Sequence, residues 1–304
     1  MGTTYSITAV NDTNESYNIK ELQKGIDSLL NDYNSHFSNY IIESEVSQFN
    51  LNSTSDYISV SAQFYDLLLE AKNVYKMTDG AFDVTVSPLV QLWGFGPEYN
   101  MNSFPDKDEV NKALRLVGTD KLILKNGQVK KTNSDIEIDF SAIAKGGGVD
   151  MIASYLFDKD IDRFLIEIGG EITVAGNNKN NKKWRLGIRK PDKYDLDLMG
   201  EIDVTNKSMA TSGTYENYFN IEEQKFSHII DPATGKPIMH DLVSVTVLAD
   251  KASIADAIAT ALMVFGYDRA LEWVNSTNGI ECLLISESSS GEYNMGVSTN
   301  FPIN

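Results

Sequence analysis

The chain has 304 residues, 42% of them hydrophobic, and a formal net charge of −17. That content supports one large domain over residues 1–304, or two intimately packed α+β subdomains. The acidity argues against nucleic acid or an anionic membrane surface as the main partner, so a phosphate-bearing ligand needs a local cation, and a divalent metal supplies one.

Residues 3–10 read as a short strand, and 18–37 as an amphipathic helix with Leu22, Ile26, Leu29, Leu30 and Tyr33 on one face. A polar loop is expected next, carrying Ser38-Asn39-Tyr40, Ser44-Glu45 and Ser47-Gln48-Phe49-Asn50. A second helix is predicted from Ser61 to Met77, stopped by Asp79-Gly80. Gly80-Ala81-Phe82-Asp83 and the following Leu92-Trp93-Gly94-Phe95-Gly96 fit either a ligand wall or a core plug beneath a loop. A helix over 107–117 precedes a hairpin, 122–129, whose turn is Asn126-Gly127.

Asp139-Phe140-Ser141-Ala142-Ile143-Ala144-Lys145-Gly146-Gly147-Gly148-Val149-Asp150 reads as a strand end (Ile136, Ile138), a turn of small residues and a helix beginning at Val149. Small residues at such a junction admit a ligand close to the backbone, and a helix start offers unpaired N–H groups to an anion. A tight turn with glycines chosen for their dihedrals explains the same pattern. Strands are then expected over 163–175, broken at Gly169-Gly170, and at 184–189, 199–205, 208–212 and 243–249. A helix from Ser253 to Gly266, another near 268–275 and a strand at 280–286 complete the reading. Strands outnumber helices in hairpin-like order, which predicts an α+β fold with antiparallel or mixed sheets.

In the 253–265 helix, Asp256 and Thr260 lie four apart on one face of an alanine-rich sequence. A carboxylate among alanines is costly unless paired or metal-bound, and Asp and Thr oxygens suit Mg²⁺; equally, Asp256 could complement the helix dipole. His228 stands beside Asp231-Pro232 and a Thr234-Gly235 turn, a setting that also fits a structural histidine. The single cysteine, Cys282, excludes an internal disulfide, and three histidines argue against a multi-histidine metal site, so any metal is expected to be a hard, oxygen-bound ion. No apolar run reaches membrane-spanning length.

Six segments stand in the order of the ApbE family: Gly80–Asp83, Asp139–Asp150, Ile168-Gly169-Gly170, Thr211-Ser212-Gly213, His228–Pro237 and Ala255–Ala261. The chain resembles that family over essentially its whole length. The resemblance implies a T-fold-like α+β protein, a Mg²⁺-dependent FAD:protein FMN transferase that moves the FMN half of FAD to a threonine or serine hydroxyl of a target flavoprotein, with AMP leaving. Carried over residue by residue, it implies that Met1, Tyr40, Ala81, Phe82 and Asp83 surround the flavin and adenosine parts, and that Asp139, Lys145 and Thr211 hold FAD. The Ala142 carbonyl, Asp256 and Thr260 would ligate Mg²⁺. His228 and Ile229 would line the transfer site, with His228 the best available general base and Asp231 beside it. Gly147 stands where relatives often carry an aromatic, so a more open wall is expected there. Exported members carry a signal and a lipid-anchoring cysteine, neither shown by Met1-Gly2-Thr3-Thr4-Tyr5; an extracytoplasmic, membrane-associated setting is implied by analogy alone. The rival readings are an FAD pyrophosphatase, with water in place of the acceptor, and a non-catalytic FAD-binding protein.

Overall fold

The computed structural model describes residues 2–11, 18–95, 104–192, 197–215, 218–221 and 224–303. Its frame is a seven-stranded sheet in the order Tyr5–Ala9, Phe164–Ile168, Glu171–Ala175, Lys207–Gly213, Leu242–Ala249, Glu281–Glu287 and Tyr293–Val297. Every neighbouring pair is antiparallel. The α+β expectation therefore holds, in its antiparallel form. The last strand was not anticipated: the 280–286 segment pairs with it across a turn at Gly291.

Eight helices are found among the described residues: α1 (Ile19–Phe37), α2 (Glu45–Leu51), α3 (Ala62–Met77), α4 (Ser87–Leu92), α5 (Lys107–Leu114), α6 (Ala144–Phe157), α7 (Ala252–Phe265) and α8 (Tyr267–Asn275). None is long and apolar enough to cross a membrane. α2 replaces part of the expected polar loop. Ser44 caps it by accepting the Ser47 amide, and only Val46 and Phe49 are buried, too little apolar sequence to show a helical period. α4, entered through Pro88, likewise lies where the sequence showed an aromatic loop.

The strand Leu242–Ala249 explains the sheet's two coatings, because all eight of its residues are buried. Val245 and Val247 belong with Ala210, Cys282, Leu284 and the helices α3 and α7. Val243 and Leu248 belong to the opposite face, with Trp184, Leu186, Ile202 and Phe301. That second face is covered by the Trp184–Arg189 and Leu198–Val204 hairpin. A strand buried on both faces cannot alternate with polar residues, hence its continuous apolar run.

Two corrections bear on the glycine-rich stretch. Ile136 and Ile138 are buried but join no strand; the Asn50 side chain stands in for a neighbour, its Oδ1 accepting the Ile138 amide at 2.7 Å and its Nδ2 donating to the Ile138 carbonyl at 2.9 Å. α6 begins at Ala144, five residues before Val149, so all three glycines lie inside the helix. Two of them serve close packing: a Cβ on Gly146 would sit 2.2 Å from the Ala252 carbonyl oxygen of α7, and one on Gly147 would sit 2.3 Å from the Tyr33 hydroxyl of α1. Tyr33 thus fills the space beside Gly147, and the wall expected to be open is closed.

Candidate active site

α6 and α7 pack together where the Asp139–Asp150 and Ala255–Ala261 motifs meet. Asp256, only 4% exposed, accepts the Gly146 amide on Oδ2 at 3.0 Å. In an uninterrupted helix that amide would bond the Ala142 carbonyl four residues back, so Asp256 takes the donor that Ala142 would otherwise hold. The neighbouring Lys145 ammonium pairs with Glu171, which heads its strand directly after Gly169-Gly170 and is 1% exposed. Glu171 Oε2 is buried and has no hydrogen-bond partner among the described residues.

Such burial has an electrostatic cost. Desolvation, reinforced by Asp256 and opposed by Lys145, pushes the Glu171 carboxyl up to about 8. Desolvation also raises Asp256, against the pull of Lys145 and the Gly146 amide, and raises Asp150. Three carboxylates and one lysine in this junction make a site short of positive charge. Between its ordinary value of 4.5 and about 8, Glu171 keeps its proton folded and sheds it unfolded, so the ligand-free protein loses stability as pH rises through that window. Melting temperatures from pH 5 to 8 are expected to fall less steeply in Glu171→Gln than in the wild type; parallel slopes would contradict this placement.

Thr260, one turn beyond Asp256, lies 3.3 Å from the Ser212 hydroxyl, which brings the Thr211-Ser212-Gly213 motif to the same helix face. Thr211 itself shares a hydrogen bond of 2.9 Å with Thr246 on the adjacent strand. A carboxylate, a hydroxyl and a nearby backbone carbonyl are hard oxygen donors of the kind Mg²⁺ takes while keeping waters and substrate phosphates. Among the described residues no group of three or more His, Cys, Asp or Glu has metal-holding geometry. The residues present therefore fit a cation held only in part by protein, with the rest of its shell left to ligand and water.

Asp139 is half-buried. Its Oδ1 accepts Asn39 Nδ2 at 2.7 Å, the Ser141 amide at 2.8 Å and the Ser141 hydroxyl at 2.5 Å. One oxygen is thereby saturated, which orients the other. Asn39 also carries the adjacent Tyr40, 78% exposed, to this side of the molecule. Ala81 and Phe82 are buried in the loop after α3. Asp83 is buried too, but its carboxylate is taken by Thr85 and Thr119: Oδ1 accepts the Thr85 amide at 2.7 Å, the Thr85 hydroxyl at 2.6 Å and the Thr119 hydroxyl at 2.8 Å. Asp83 thus ties the loop after α3 to Thr119.

His228 follows the strand Gln224–Ser227 and is half-buried, its ring 6.3 Å from that of Phe95. The Ile229 amide donates to Ser227 Oγ at 3.1 Å, which fixes the bend at His228. Behind it, Trp93 stacks on Phe226 at 6.4 Å and donates to the Gly235 carbonyl at 2.8 Å, so the aromatic segment braces this hairpin. Asp231 accepts the Ala233 amide at 2.8 Å and the Thr234 hydroxyl at 2.9 Å. Both of its oxygens accept within its own turn, Asp-Pro-x-Thr-Gly. Met1 lies outside the described residues.

Sequence reasoning passed over Glu171, Ser212 and Asn39. A glutamate following a Gly-Gly break, within a strand whose other residues are apolar or small, was the available signal for Glu171. Ser212 was visible only as part of the Thr211-Ser212-Gly213 motif, and Asn39 gave no signal, since its partner lies 100 residues away.

Residues 1–284 match the sequence profile of the ApbE family. The chain is 40% identical over 291 residues to the FAD:protein FMN transferase of Vibrio cholerae, covering 96% of this chain and 86% of that protein. It is 39% identical over 297 residues to that of Haemophilus influenzae, with the same shares. The solved flavin transferase ApbE from Vibrio cholerae superposes with a TM-score of 0.88 at 37% identity, over 99% of this chain and 95% of that one. The apbe protein from Thermotoga maritima gives 0.85 at 26% identity, over 98% of both. The chain belongs to the ApbE family.

Proposed function

We infer that this protein is an FAD:protein FMN transferase, carrying the FMN half of FAD to a hydroxyl of an acceptor flavoprotein. The observation that carries the reading is the α6–α7 crossing, where the family motifs converge on a buried carboxylate, Asp256, bonded to the Gly146 amide at 3.0 Å, beside the Lys145–Glu171 pair. Mg²⁺ held by Asp256, Thr260 and the Ala142 carbonyl would neutralise diphosphate charge. Lys145 offsets further negative charge there, including that developing on the departing AMP. Asp139 and the Tyr40 loop orient FAD.

The acceptor's threonine or serine oxygen attacks the phosphorus of the FMN half, the bond from that phosphorus to the oxygen of AMP breaks, and His228 takes the hydroxyl proton. The product is a phosphoester. The test is incubation of a candidate flavoprotein with this enzyme, FAD and Mg²⁺, followed by mass spectrometry. A mass gain equal to FMN less water on a threonine- or serine-bearing peptide, lost with EDTA, supports transfer. Free FMN released equally with and without acceptor would mark hydrolysis instead, and FAD bound without turnover would mark a binding protein. Lys145→Met is expected to lower kcat/KM by about 10²-fold, the scale for losing one preorganised donor to a developing anion; an unchanged value would remove it from the site. An extracytoplasmic location is proposed on the family resemblance, and fractionation of expressing cells tests it.

A further inference from the structure

Asp150 closes the glycine-rich motif, and its carboxylate spans to the first turn of α7. Oδ1 accepts the Ala252 amide at 2.8 Å; Oδ2 accepts the Ser253 amide at 2.9 Å and the Ser253 hydroxyl at 2.7 Å. The residue at the α7 N-cap, Lys251, supplies no side-chain cap. Amides that every helix leaves unpaired are thus satisfied here from another helix, α6. The Ser253 hydroxyl also lies 2.8 Å from Glu70 of α3, and Glu70 pairs with Lys251.

The opposite constraint comes from Gly146. Its ideal Cβ would lie 2.2 Å from the Ala252 carbonyl oxygen and 2.6 Å from the Ser253 Cα, contacts that backbone atoms cannot yield to. Asp150 draws the helices together, and the missing side chain at Gly146 lets them meet. Asp256 lies one turn beyond Ala252, on the helix whose position these two residues fix, and it takes the Gly146 amide at 3.0 Å.

We propose that Asp150 and Gly146 are positioning residues for the divalent-cation site, setting the separation of Asp256 from the start of α6, where the Ala142 carbonyl stands. The proposal rests on the reading of Asp256 as a cation ligand. A carboxylate that merely caps a helix stabilises the fold; one that sets a ligand's place also tunes affinity, and partners behind metal ligands typically change it by about 10–100-fold.

The test uses the full chain with Mn²⁺ as the probe, its binding followed by electron paramagnetic resonance and FAD binding by flavin fluorescence. Asp150→Ala and Gly146→Ala are each expected to weaken Mn²⁺ by about 10-fold or more, with cation-independent FAD binding changed by less than about 2-fold. Leu68→Ala, in the α3 core, is expected to lower the melting temperature and leave Mn²⁺ affinity intact, separating lost stability from lost positioning. Ser253→Ala, which deletes only the hydroxyl contacts, carries the same measurement if Asp150→Ala does not fold, with a smaller loss of about 3-fold expected. Wild-type Mn²⁺ affinity in the Asp150 and Gly146 variants, alongside lost binding in Asp256→Ala, would overturn the positioning role and leave the cation site standing. Wild-type affinity in Asp256→Ala would overturn both.

Discussion

Asp256→Ala is expected to lower kcat/KM for flavin transfer by about 10³-fold or more and to abolish its saturable dependence on Mg²⁺, because it removes the only carboxylate in the proposed ligand set. The comparison with Asp256→Asn is more telling. Asp256 is 4% exposed, and desolvation raises its pKa. In the absence of a cation, therefore, the charged form is a burden on the fold, and replacing it with a neutral near-isostere is expected to hold or raise the melting temperature of the ligand-free protein while activity is lost. Adding Mg²⁺ and FAD should then stabilise the wild type and not the variant. Activity titrated over Mg²⁺ concentration, with thermal melts in parallel, checks both halves; an unchanged Mg²⁺ dependence in either variant would remove Asp256 from the cation site.

The second large effect concerns His228. Loss of a positioned general base typically costs about 10²–10⁴-fold, and His228→Ala is expected to fall in that range for kcat while leaving the affinity for FAD within about 2-fold. The separation follows from placement. His228 is set by the hairpin bend at Ser227 and Ile229 and stands edge-on to Phe95, whereas the carboxylate and lysine of the diphosphate site lie on α6, α7 and the strand Glu171–Ala175. Single-turnover transfer with preloaded FAD isolates the step, and a normal transfer rate in His228→Ala would end the assignment.

Elements with long apolar periods were legible: α1, α3 and α7 fall within two residues of where their sequences place them, and Asn126-Gly127 makes the expected turn, both residues having positive φ. α2 and α4 were not, since short helices of seven and six residues present too few buried positions to reveal a period. The start of α6 was misplaced for a different reason. Three consecutive glycines oppose a helix by local propensity, and only the close approach of Ala252 and Tyr33 explains why the helix includes them. Among candidate site residues, the spacing of Asp256 and Thr260 marked one face of α7, whereas the hydrogen bonds that hold Asp83 and Asp231 were not visible in the sequence. An aspartate near glycine and threonine is marked by sequence as chemically rich; Asp231 accepts within its own turn, while Asp83 accepts from Thr85 and from Thr119, 36 residues on.

The bond from Gly146 to Asp256 joins residues 110 apart in the chain, and the ties from Asp150 to Ala252 and Ser253 join residues 102 and 103 apart. Contacts of that span carry a larger loop-closure cost than local ones. The candidate site therefore needs both ends of that span: a chain ending before Ala252 lacks α7 and with it Asp256 and Thr260. The appearance of cation-dependent activity in a refolding experiment is expected to report the docking of α7 on α6.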